Sequence, residues 1–83
     1  MGIKTVTLYV NDPMGRRCMI NMQAAERLRD EIGLDLVVIK KTSEEYASAK
    51  DQPPCPSVAV GDRYVVKDGT IGYDELKTEV LKG

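Results

Sequence analysis

The sequence has no histidine, tryptophan or phenylalanine, and only two cysteines, in 83 residues. Without histidine there is no Ser-His or Cys-His catalytic pair, and the commonest side-chain metal ligand is missing. Four tyrosines are the whole aromatic complement, which is too little for a base-stacking surface, and a net charge of −1 gives no general attraction to nucleic acid or anionic lipid. No stretch approaches the roughly 20 apolar residues that span a bilayer. The first ten residues, MGIKTVTLYV, lack the basic segment, apolar run and small-residue cleavage site of a secretory signal, so a cytoplasmic location with reduced thiols is expected. No Gly-rich phosphate loop is present, and two cysteines without histidine do not complete a zinc site, so neither a metal nor any other cofactor is expected.

What is present is the balance of a soluble globular domain, with 42% hydrophobic and 30% charged residues. A chain of this length has room for one core, so residues 1–83 are read as a single domain. Residues Ile3 to Val10 alternate, with Thr5, Thr7 and Tyr9 on one face and Val6, Leu8 and Val10 on the other. That pattern predicts a strand, central because both faces are fairly apolar. Asn11 to Gly15 reads as a loop. Arg16 to Ile32 reads as a helix with Cys18, Met22, Ala25, Leu28 and Ile32 on its apolar stripe, stopped by Gly33. Leu34 to Ile39 is a second strand, and the helix between the two implies a right-handed crossover and parallel pairing.

Thr42 or Ser43 caps a short helix through Lys50. The Asp51-Gln-Pro-Pro-Cys-Pro56 stretch then breaks it. Two short strands, Ser57 to Val60 and Arg63 to Val66, are joined by Gly61-Asp62, a hairpin signal, and Lys67 to Gly69 is a turn. Gly72 to Leu81 is a closing helix with Tyr73, Leu76, Val80 and Leu81 inward. The order is β-α-β-α-β-β-α around a four-stranded mixed sheet.

Over nearly its whole length the chain resembles the thioredoxin superfamily, and most closely its small redox-active disulfide proteins of about 80 residues. The resemblance rests on a strand ending in Leu-Tyr, a Cys-led helix, the strand after EIGLDLVVIKK, a Pro-X-Val strand, AVGD and a closing DELKTEVL helix. It implies a thioredoxin/glutaredoxin-like three-layer α/β/α fold. It also implies that Pro56 is cis and lies beside the start of the first helix, where the family carries Cys-X-X-Cys. Here that stretch is Gly15-Arg16-Arg17-Cys18. The second cysteine is present and Gly15 stands in place of the first, so the family's ordinary dithiol exchange is not available.

Cys55, immediately before Pro56, takes the place that the resemblance puts against the site. Cys18 and Cys55 are therefore the candidate catalytic pair, with Gly15, Arg16, Arg17 and Pro56 as the substrate groove. A helix N-terminus and two arginines favour a thiolate at Cys18, unless Asp12 caps the helix and Pro13 opens it, which moves Cys18 into the second turn. The expected function is a thiol–disulfide redox protein acting on protein thiols and disulfides or with a reductase, and whether it is an enzyme is open. The competing reading is a binding module that has lost the attacking cysteine and uses the groove beside Pro56.

Overall fold

The computed structural model describes residues 4–49 and 52–82. Seven elements run in the expected order: β1 (Thr5–Val10), α1 (Arg16–Ile32), β2 (Asp35–Lys40), α2 (Glu44–Ser48), β3 (Ser57–Val60), β4 (Arg63–Lys67) and α3 (Tyr73–Lys82). The sheet order is β2-β1-β3-β4, so β1 is interior, parallel to β2 and antiparallel to β3. The alternation of β1 divides the molecule. Val6, Leu8 and Val10 are fully buried and, with Val58 and Val60 of β3, meet Leu28 of α1 and Leu76 and Val80 of α3 in one core. On the opposite face Tyr9 meets Tyr64 of β4 and Tyr46 of α2, with ring centroids 5.9 and 6.4 Å apart. α1 and α3 thus form one layer, the sheet a second, and the short α2 a third.

Gly61, with φ 63°, supplies the left-handed residue that lets β3 turn into β4, and Val65 is the extra residue of a bulge opposite Val58 and Ala59. α1 begins at Arg16, with Gly15 as an N-cap that makes no side-chain hydrogen bond. Asp12 instead accepts a 2.7 Å hydrogen bond from Thr42 Oγ1, so the alternative helix start at Asp12-Pro13 does not occur. Gly33 closes α1 at φ 72° and returns its N–H to Arg29 O. Ser43 caps α2, its Oγ accepting from the Tyr46 N–H. Exposed ion pairs at 2.8 Å, Arg63–Glu79 and Lys77–Glu31, tie α3 to β4 and to α1, and the Arg63 hydrogen bond holds the Glu79 carboxyl below its usual range.

Several expectations shift. Ile3 and Lys50 lie outside the described residues, β2 is shifted by one residue from the expected Leu34–Ile39 to Asp35–Lys40, and β4 extends one residue further than expected, to Lys67. α2 ends at Ser48 because Ala49 turns extended. The buried stripe of α1 is Cys18, Asn21, Ala24, Ala25 and Leu28, while Ile32 is 40% exposed. Positions 18, 21, 25 and 28 step by three, four and three, which holds one helix face, and Ile32 falls in the last turn beside Gly33. Leu81, expected inward, is 66% exposed, one residue past the buried Val80 and so rotated off the face that carries Leu76 and Val80.

Candidate functional site at the carboxyl end of the first strand

β1 delivers Asn11 and its following loop to the end of the sheet where α1 starts. Cys18 is the third residue of α1 and is 1% exposed, inside the core cluster. Its Sγ accepts from the Asn11 backbone N–H at 3.3 Å and lies 3.8 Å from Asn11 Nδ2, a second donor.

Cys55 arrives from the other side of the same strand. Tyr9 pairs with Ser57 in the antiparallel β1–β3 register, and Cys55 lies two residues before Ser57, at the end of β3 that meets the carboxyl end of β1. Asn11, which donates to the Cys18 sulfur, directly follows β1 at that same end of the sheet. Burial pushes the Cys55 thiol above its ordinary value, Lys41 opposes the shift, and the negative charge of Cys18 adds to it. Both cysteines are free, and Cys55 is half-buried where Cys18 is enclosed.

The segment before Cys55 is pinned. Tyr46 Oη reaches the carbonyl oxygens of Pro53 at 2.7 Å and Gln52 at 3.1 Å, and Gln52 Nε2 donates to Ala47 O at 3.0 Å. Burial raises the Tyr46 phenol, and the Cys55 charge raises it further, so Tyr46 belongs to the same neighbourhood. On the other flank Ser57 Oγ donates to Pro54 O. The Cys55-Pro56 peptide is cis, and so is Asp12-Pro13.

Of the residues expected at the site, Gly15 and Arg16 are exposed at the mouth of α1 and Pro56 is buried. Arg17 turns to Asp68, 3.2 Å away, so its charge is matched there. Asn11, Lys41, Tyr46 and Asp68 were not legible as site residues: Asn11 donates to Cys18 across a loop, Lys41 and Tyr46 are linked to Cys55 through space, and Asp68 engages Arg17 and Ser57, neighbours of the cysteines. Asn21 did carry a signal: a polar residue three positions after Cys18 on an apolar helix face needs a buried partner. Among the described residues no three His, Cys, Asp or Glu side chains group as a metal site, and no helix is long and apolar enough to cross a membrane. No family model, curated protein or solved structure matches this chain.

Proposed function

We propose that this chain is a thioredoxin-like thiol–disulfide redox protein in which Cys55 meets the partner disulfide and Cys18 resolves it. The observation that supports this reading is that both cysteines belong to one end of the sheet: Asn11, directly after β1, donates to Cys18, and Cys55 stands two residues before Ser57, the partner of Tyr9 in β1. The difference in burial supports these roles, since a partner reaches the half-buried Cys55 before the enclosed Cys18. The Cys55 thiolate attacks one sulfur of a partner disulfide, forming a mixed disulfide and releasing the other sulfur as a thiolate. The Cys18 thiolate then attacks Cys55 Sγ, closing a Cys18–Cys55 disulfide and releasing the second partner thiolate. The partner disulfide is reduced by two electrons and the chain's dithiol is oxidised by two. A cytoplasmic reductase, or a dithiol partner, returns the chain to its reduced form.

The reading is tested by mixing the reduced protein with excess oxidised glutathione. A bimolecular gain of one glutathione is expected, followed by its concentration-independent loss as the internal disulfide closes. A stable adduct with no second phase contradicts the proposal. That outcome favours the second reading, a binding module in which Cys18 is only part of the core; its enclosure in the apolar cluster is the observation on that side.

Gly15 offers an independent check. Its backbone is extended, φ −88° and ψ −176°, and an added Cβ meets no heavy atom within 4 Å. Gly15→Cys is therefore accommodated and sets two thiols at Cys-X-X-Cys spacing. A thiol at a helix N-terminus ionises more readily than an ordinary one, and its larger thiolate fraction outweighs its lower nucleophilicity. The rate of small-disulfide reduction at pH 7 should rise on the order of tenfold. An unchanged rate, measured by stopped thiol quench, would place the redox chemistry elsewhere.

A further inference from the structure

The turn that follows β4 touches both cysteine-bearing segments. Toward α1, Asp68 takes the Arg17 guanidinium, with Nη2 3.2 Å from its Oδ1 and Nη1 3.4 Å from its carbonyl oxygen. One turn along the helix the Asn21 side chain is buried; its Nδ2 donates to Gly69 O at 3.0 Å and its Oδ1 accepts from the Ile71 N–H at 2.8 Å. Arg17 and Asn21 flank Cys18 in sequence. Toward the other thiol, the Gly69 N–H donates to Pro56 O at 3.1 Å and the Asp68 N–H to Ser57 Oγ at 3.3 Å. Pro56 and Ser57 directly follow Cys55. Asp68 itself lies in the left-handed region, φ 54°, a conformation that a non-glycine residue holds only when its surroundings fix it.

We infer that Asp68-Gly69 is a bracket that sets the distance between the two thiols, with Arg17 and Asn21 as positioning residues. The inference rests on the redox reading above and extends it to residues that touch neither sulfur. α1 and the Cys55 segment are separate in sequence and joined through this one turn by six hydrogen bonds on its two sides. Loosening the bracket widens the range of sulfur separations in the dithiol state, and so lowers the effective concentration of one thiol at the other.

The test compares two quantities in each variant: the equilibrium constant of the Cys18–Cys55 disulfide against glutathione, and the unfolding midpoint of the dithiol form. Asn21→Ala should lower the equilibrium constant about tenfold, since two hydrogen bonds are lost. Arg17→Ala and Asp68→Asn, which leave the core untouched, should each lower it two- to fivefold, as expected for an exposed pair. Their double variant should show no further loss, and the deficit should disappear in about 1 M salt, where such a pair is screened. A merely structural turn would lower the unfolding midpoint and leave the equilibrium constant within about twofold of wild type. That result overturns the bracket and leaves the redox reading standing. A wild-type chain that forms no internal disulfide overturns both.

Discussion

Oxidation of the reduced monomer should raise its thermal midpoint by about 20 °C. A Cys18–Cys55 bond closes a loop of roughly 37 residues, and the loss of chain entropy in the unfolded state corresponds to about 3.8 kcal/mol. A domain of this size unfolds with an entropy near 0.17 kcal/mol/K, at about 2.1 cal/mol/K per residue, which converts that free energy to the stated shift. Small domains have few kilocalories to spare, so one bond changes the population of unfolded chain by several hundredfold. Strain on closure takes away from the gain, because Cys18 already packs against Val10 and its core neighbours. Circular-dichroism melts of reduced and oxidised protein measure the shift, with Cys55→Ser as the control that oxidant should leave unmoved. An oxidised monomer that melts with the reduced one contradicts a native pairing of these sulfurs.

The single-cysteine variants should behave in opposite ways. With Cys18→Ser, the mixed disulfide at Cys55 has no thiol to resolve it and should accumulate to completion. With Cys55→Ser, the remaining thiol is 1% exposed, and reaction waits for local opening; an opening that costs about 3 kcal/mol slows modification on the order of 100-fold. The pH dependence follows from the upward shift at Cys55. A thiol whose pKa lies above the ordinary value of about 8.5 is almost wholly protonated at neutral pH, so its alkylation rate should rise about tenfold per pH unit between pH 6 and 8. The sign for stability is the reverse. Because Cys55 binds its proton more tightly folded than unfolded, its contribution is complete below the ordinary thiol pKa and is lost as pH rises through the folded value. Mass spectrometry of iodoacetamide-quenched samples over pH distinguishes the two variants. Equal rates in both would remove the assignment of roles.

The architecture was legible because the signals were local and repeated. Alternation in β1, the 3.6-residue pattern of α1 and the Gly61-Asp62 turn each act within a few residues, and together they fix the order and the parallel β1–β2 pair. That the segments carrying Cys18 and Cys55 lie at one end of the sheet was legible for a related reason: α1 must start where β1 ends, and β3 must return beside β1. What was not legible was how the cysteines are dressed. Arg17 reads as a cation for Cys18, yet a carboxylate 51 positions away engages it. Cys18 reads as a residue of the apolar stripe of α1 and is buried there, but the Asn11 N–H that its sulfur accepts left no mark in the sequence. Long-range partners such as Asn21 with Gly69 leave only one trace in the sequence, a polar residue on an apolar face.

What the structure adds to the sequence reading is a difference in burial between the two cysteines, Cys18 being enclosed and Cys55 half-buried. Exposure, not the place at a helix N-terminus, decides which sulfur a partner can reach. The central claim is that these two sulfurs bond to each other within one folded chain. Its most direct test is peptide mapping, without reduction, of monomer equilibrated in a glutathione redox buffer and acid-quenched. The account predicts a monomer lighter by two hydrogens, with the Cys18 peptide linked to the Cys55 peptide. Glutathione on Cys55 beside a free Cys18, or linkage only between chains, would contradict it.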